Sequence, residues 1–202
     1  MIQQAHKKFL VFLIVSCLVS FFIFPNNSST QDSVPGLHFD LGFSSGFPVY
    51  GDSQVQVIND EINNAGHRVI AGITGDILLD LSENFTLFTG ADLFFDFNWN
   101  DNGEHFNHTD LAVFPGLKIY PNLLGFNSSV AYSICCRFDS YSGTEVFDSV
   151  LWGNGFRVGV EYDFSRGANI SYLPSMGIYY RFCPRGNYRY DNIFAVYLLL
   201  NL

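Results

Sequence analysis

Lysine is nearly absent from this 202-residue chain: only Lys7, Lys8 and Lys118 occur. A soluble barrel of this size keeps many lysines on its water-facing side, so their scarcity argues against a solvated exterior. No apolar run after Phe24 reaches the ~20 residues a membrane-crossing helix needs. Helical membrane architecture is thereby excluded, although the chain is 48% hydrophobic and 17% aromatic. Charge is sparse at 14%, and its balance is −9. That balance lacks the basic stripe by which phosphate backbones are bound, so nucleic acid is not a partner. No internal repeat or low-complexity linker interrupts the chain, and its length suits one domain rather than two.

What is present is alternation. Leu37, Phe39, Leu41 and Phe43 fall on one side of a period-two pattern, with His38, Asp40, Gly42 and Ser44 on the other. Farther on, Leu87, Ala91, Leu93, Phe95, Phe97 and Trp99 oppose Gly90, Asp92, Asp96 and Asn98. Period two means strands, because successive side chains leave a strand on opposite faces. The pattern predicts eight of them, over 37–50, 67–81, 85–99, 110–120, 125–139, 150–164, 170–182 and 191–202. In each, the apolar face is free of charge and the other is polar and glycine-rich. An apolar wall backed by a polar lumen is what lipid demands of a closed barrel. The expected fold is an all-β, eight-stranded, antiparallel, up-and-down transmembrane β-barrel.

Lys7-Lys8 followed by the apolar Phe9–Phe24, Pro25 and an Asn/Ser-rich stretch reads as a secretory signal over residues 1–30, with the barrel domain over 31–202. Cleavage is expected near Ser28–Thr30. A retained N-terminal anchor, or a lipid-modified Cys17, are the alternatives.

The connections alternate in length. Gly51–Gly66, Asn100–Thr109, Ser140–Ser149 and Cys183–Tyr190 are long and polar; Ser82–Asn84, Pro121–Leu124 and Ser165–Asn169 are short. Long loops on one side and tight turns on the other fit an outer-membrane barrel, with both termini at the periplasmic turn end. The short turns set Gly72 opposite Phe94 and Gly155 opposite Tyr179, bare glycines facing rings as in curved sheets. Pro115 and Pro174 fall within predicted strands and should each cost a ladder hydrogen bond.

The same parity assigns the lumen. Asp76, Asp92, Glu161, Lys118, Arg137, Arg157 and Arg181 form a predicted inward charge network, with Asp40, Asp80, Asp96, Asp163 and Arg68 on the same face. Eight strands enclose a space that side chains fill, and opposite charges confined there should pair. Arg157 is expected between carboxylates. Ile70, Phe94, Phe114 and Tyr179 point inward in the outer half and suggest an apolar mouth for a small hydrophobic solute. Cys135 and Cys183 both face inward near the rim, where an oxidising envelope favours a bridge, although their strands are not neighbours.

Catalytic patterns are missing. His38 is followed by Phe39-Asp40, so no strand carries the His-x-Ser of barrel deacylases. No metal site is expected either: His105, His108, Asp101, Glu104 and Asp110 are read as chance neighbours on a loop. The chain is expected to be non-enzymatic and free of cofactors.

Leu41–Gly51 (LGFSSGFPVYG) and the turn Tyr120–Gly125 resemble small outer-membrane barrels of spirochaetes, treponemal ones included. Those are similar in architecture to the OmpW, OprG and OmpX class. The terminal ladder Phe194, Val196, Leu198, Leu200 and Leu202 resembles the signal read by the outer-membrane barrel assembly machinery, although it ends in leucine. The resemblance implies a narrow conduit for small hydrophobic solutes, or a plugged surface scaffold whose loops meet host molecules. A secreted, calycin-like soluble barrel binding a small apolar ligand is the alternative, and would invert the facing.

Overall fold

The computed structural model describes residues 36–63, 66–121, 125–143, 146–168 and 173–202. The leader, its cleavage site and Cys17 lie outside these, as do Asn122–Leu124 of the predicted turn and residues 169–172. No helix among the described residues is long and apolar enough to cross a membrane.

Eight strands close into one barrel, each antiparallel to its neighbour in sequence, with the last returning to the first. They are β1 (Leu37–Tyr50), β2 (Gly66–Asp80), β3 (Phe85–Asn100) and β4 (His105–Ile119), then β5 (Phe126–Ser142), β6 (Val146–Asp163), β7 (Ser175–Pro184) and β8 (Tyr190–Asn201). Two helices join them: α1 (Ser53–Asn63) between β1 and β2, and α2 (Phe164–Ala168) after β6.

Facing is inverted relative to a soluble barrel. The buried positions include Asp76, Asp92, Lys118, Arg137, Arg157 and Arg181. The exposed ones include Phe43, Ile73, Val130, Trp152, Ile178 and Val196. On β8 both faces are apolar: Ile193, Ala195, Tyr197 and Leu199 point inward and buried, while Phe194, Val196 and Leu198 point out. Water cannot drive such a wall to form, since it leaves apolar area exposed and takes ionic groups from solvent. An apolar medium outside the wall removes the first cost, and pairing across the lumen offsets the second.

Several strand ends differ from expectation. β4 begins at His105, β5 runs to Ser142 and β6 begins at Val146. The loops predicted at Asn100–Thr109 and Ser140–Ser149 are therefore mostly strand, with Asp101–Glu104 turning between β3 and β4. The outward face turns polar there, at His105, Asn107, Thr109, Ser140 and Ser142, so alternation fades while the ladder continues, pairing His108 with Asp139 and Ser140 with Asp148. The third predicted loop, Gly51–Gly66, holds α1. Asp52 starts it, accepting the Gln54 amide through Oδ1 at 3.0 Å and the Gln56 amide through its carbonyl at 3.0 Å.

Strand seven starts at Ser175, not residue 170, so Pro174 precedes the strand instead of interrupting it. The later start shifts the hairpin by four residues: Tyr179 faces Gly159, not Gly155. Gly72 does face Phe94. Pro115 pairs with Thr89 on β3, while Phe114–Pro115 drop out of the β4–β5 ladder. Val113–Ile134 and Gly116–Ala131 keep one register across the gap, so the proline costs pairing without a bulge.

Candidate functional site

The lumen is filled in layers. At the turn end, Lys118 sits between Asp76 (3.4 Å) and Glu161 (3.1 Å). Glu161 also accepts from Asn127 at 2.9 Å and from the Tyr197 hydroxyl at 2.9 Å. Below them Arg166 of α2 pairs with Asp80 at 2.8 Å and lies 3.9 Å over the Tyr120 ring. Burial pushes the Tyr120 phenol above its ordinary range, with Lys118 and Arg166 opposing. His38 reaches the same Asp80 at 3.1 Å.

Mid-barrel, Arg157 departs from expectation. Among the described residues it makes no ion pair; its guanidinium stacks 4.3 Å from the Phe114 ring and 4.2 Å from that of Tyr179, with Tyr197 at 5.5 Å. The carboxylates expected to flank it are drawn instead to Lys118 and Arg181. A guanidinium is weakly hydrated and planar, so ring faces can hold it where an ammonium would need carboxylates. Glycine makes room for these rings. A Cβ on Gly177 would meet Tyr197 at 2.5 Å, and one on Gly90 would run into Phe114.

Cys135 of β5 and Cys183 of β7 are joined in a disulfide. β6 lies between them, but there its inward positions are Gly153 and Gly155, with Cys135 directly opposite Gly153. A strand bare of side chains lets two non-adjacent strands be bridged across it. Cys136 points to the outer wall and is free.

Toward the loop end lies a continuous ladder of alternating charge. Asp139 pairs with Arg137 (2.8 Å), Arg137 with Asp191 (2.6 Å), and Asp191 with Arg185 (2.7 Å). Arg185 and Arg181 share Asp110, and Arg181 reaches Asp92 at 3.5 Å. His108 closes the far end, its Nδ1 donating to Asp139 at 2.7 Å between the rings of Tyr50 and Phe106. Nearby, Arg68 grips Asp96 with two hydrogen bonds of 2.8 and 2.7 Å, and the Tyr50 hydroxyl donates to the same carboxylate.

α1 lies across the top. Val55, Asn59 and Ile62 recur at helical spacing and are buried. Val55 and Ile62 pack with Tyr50 and Phe106, and Asn59 meets His108 Nε2 at 3.1 Å. Asp52 accepts from Asn187 of the last loop at 3.3 Å.

The predicted network residues Asp76, Asp92, Lys118, Glu161, Arg137 and Arg181 are all buried and ion-paired, but in two groups separated by the Arg157 rings. The expected apolar mouth is not a mouth. Phe94, Phe114 and Tyr179 are 1%, 0% and 3% exposed and fill the barrel beneath the ladder and α1, with Ile70 packed beside them. The loop histidines and acids are dispersed: His108 and Asp110 are inward strand residues with other partners, and His105 starts β4. Sequence reading missed Arg185, Asp191, Asp139 and Asp110 as ladder members. Period-two parity, carried past the apolar ends of β4, β5 and β7, was the signal that would have found them.

In fold, then, this is a small, closed, eight-stranded barrel of the outer-membrane type. It is similar to Ail, the attachment invasion locus protein of Yersinia pestis. The match to Ail in complex with the heparin analogue sucrose octasulfate has a TM-score of 0.58 and 5% identity, covering 83% of this chain and 99% of that one. A second Ail structure gives 0.59 at 5% identity, over 82% and 97%. Neisserial surface protein A gives 0.51 at 8% identity, over 82% and 97%. No family model matches the chain, and no curated protein matches it.

Proposed function

We propose that this chain is a non-enzymatic integral outer-membrane protein that acts as a sealed surface scaffold, with lipid around its wall and its loop end turned outward. One observation carries the reading: among the described residues, buried and paired side chains occupy successive levels of the lumen. Lys118 and its carboxylates, the Arg157 rings, the Asp139-to-Asp92 ladder and α1 succeed one another through the barrel. A conduit for small hydrophobic solutes would need that order broken. A secreted soluble barrel is disfavoured by the exposed apolar wall and buried charges. Insertion would rely on the barrel assembly machinery reading the apolar face of β8.

The loop end is the seat of function on this reading, and host surface molecules are its natural partners. The Ail complex involves a sulfated, polyanionic ligand. Here the arginines are mostly committed inside, whereas Asp60, Glu61, Asp101 and Asp148 are exposed near the loop end. The surface suits a cationic partner better than a polyanion. The test is planar-bilayer conductance of the refolded protein: no ion current and no uptake of a small hydrophobic solute are expected. Steady conductance, or solute uptake lowered by Phe94→Ala and Phe114→Ala, would restore the conduit.

A further inference from the structure

Asparagine followed by glycine occurs twice in the chain, and the fold treats the two dipeptides in opposite ways. Asn102–Gly103 is the tip of the turn between β3 and β4, whereas Asn154–Gly155 lies inside β6. The dipeptide carries its own chemistry. The nitrogen of the peptide after asparagine can attack the side-chain amide carbon and close a five-membered ring. Glycine leaves that nitrogen unshielded by a side chain. Ring closure needs rotation about the asparagine Cα–C bond, so that Cβ and the glycine nitrogen come to the same side. What holds the backbone decides whether that rotation can occur.

Asn102 and Gly103 are both exposed. Among the described residues, the Asn102 side-chain amide has no hydrogen-bond partner. Gly103 stands at φ +84°, and a Cβ built there would meet nothing within 4 Å. One hydrogen bond holds the attacking nitrogen, from the Gly103 amide to the Asn100 carbonyl at 3.1 Å. The rest of the turn is pinned without it. The Asn100 side chain accepts from the amides of Asn102 and Glu104, both at 3.1 Å, and donates to the Glu104 carboxylate at 2.8 Å. The Asn100 amide donates to the Glu104 carbonyl at 3.0 Å. The tip can therefore open locally while the hairpin below it stays closed.

Asn154 is held on every side. It pairs with Ile134, and Gly155 pairs with Ser133. Its side-chain amide donates to the Tyr132 hydroxyl at 2.6 Å. A Cβ on Gly155 would run into the Phe182 carbonyl. Rotation there would break the β5–β6 ladder, on a face turned to lipid and away from water.

We infer that the Asn102–Gly103 turn is a site of spontaneous covalent modification, at which neutral asparagine becomes a carboxylate, and that the ladder spares Asn154–Gly155. The Gly103 nitrogen gives its proton to solvent and bonds to Asn102 Cγ; the bond from Cγ to Nδ2 breaks, and Nδ2 leaves as ammonia. Water then opens the ring. Cleavage between the nitrogen and Cγ gives aspartate; cleavage between the nitrogen and the Asn102 main-chain carbonyl gives isoaspartate, with the chain running on through Cβ. One water is consumed and one ammonia released, with no change of oxidation state. The new charge joins Asp101 and Glu104 in the same turn. This chemistry does not depend on the scaffold reading, and it makes the surface that reading invokes more acidic.

The test incubates the full chain, refolded in lipid nanodiscs, in mildly alkaline buffer. Peptide mapping by mass spectrometry and enzymatic methylation of isoaspartate are the readouts. Asn102 is expected to convert to a mixture of isoaspartate and aspartate, with ammonia released in equal amount, at least tenfold faster than Asn154. In the urea-unfolded chain the two rates should come together, because only the ladder distinguished them. Asn102→Gln lengthens an exposed side chain so that the five-membered ring cannot form, and should abolish this isoaspartate and ammonia. An Asn102 that stays intact in the barrel while converting in the unfolded chain would overturn the inference. Equal rates at the two sites in the folded protein would do the same. Aspartate without isoaspartate would overturn the ring route in favour of direct hydrolysis.

Discussion

At the scale of single residues, the interior turns on how few neutral choices a confined charge has. Asp110 stands between Arg181 and Arg185, all three buried. Replacing it by asparagine keeps the shape but leaves two guanidiniums facing each other with one carboxylate fewer. Breaking a buried pair of this kind costs about 3–5 kcal/mol. Asp110→Asn is therefore expected to lower the urea midpoint of the refolded barrel markedly, whereas Asp101→Asn, 89% exposed at the turn, should leave it within error. Equal midpoints for the two variants would mean that the ladder is solvated and the lumen not sealed. Arg157 solves the same problem differently, with ring faces in place of carboxylates.

At the scale of elements, each strand carries two chemistries on its two faces. Val158 points out of β6 and is 40% exposed, while Arg157 beside it is 3% exposed. Val158→Arg should cost roughly 2–4 kcal/mol near a bilayer midplane and block insertion into vesicles. Gly116→Arg, on the lumen side, should be a packing fault with a smaller lipid penalty. Equal tolerance at both sites would reverse the facing. α1 is held differently, by an apolar stripe of Val55 and Ile62 on Tyr50 and Phe106. Putting aspartate at both Val55 and Ile62 should free it, making residues 53–63 cleavable by added protease in the intact barrel. A cleavage pattern identical to the parent's would show that α1 does not depend on that stripe.

For the whole molecule, the 15 to 18 residues of β3–β6 exceed the ~9–11 that cross a bilayer, so on the proposed reading that side rises beyond the membrane. β7, the shortest, leaves the rim oblique and the upper edge of β6 open. Epitope tags in the Asp101–Glu104 turn should be antibody-accessible on intact cells, and tags in Ser82–Asn84 should be silent. The reverse result would turn the barrel over.

Eight strands, their order, their facing and the lumen charges within the apolar band were legible in the sequence, because a wall with one face in an apolar medium imposes an unbroken period of two. His38, Asp40 and the Leu93 register follow from it directly. Above the apolar band the outward face is polar as well, so the pattern that marked strand ends was lost. Only the folded chain could show that β4, β5 and β6 continue upward, or which partners Arg185 and Asp191 take in the ladder. Tertiary structure alone also decided which charges pair, why Arg157 stacks on rings, and that α1 closes the top. Those outcomes depend on distances across the lumen between residues as far apart as Asn59 and His108 or Arg137 and Asp191, and local alternation carries no information about them.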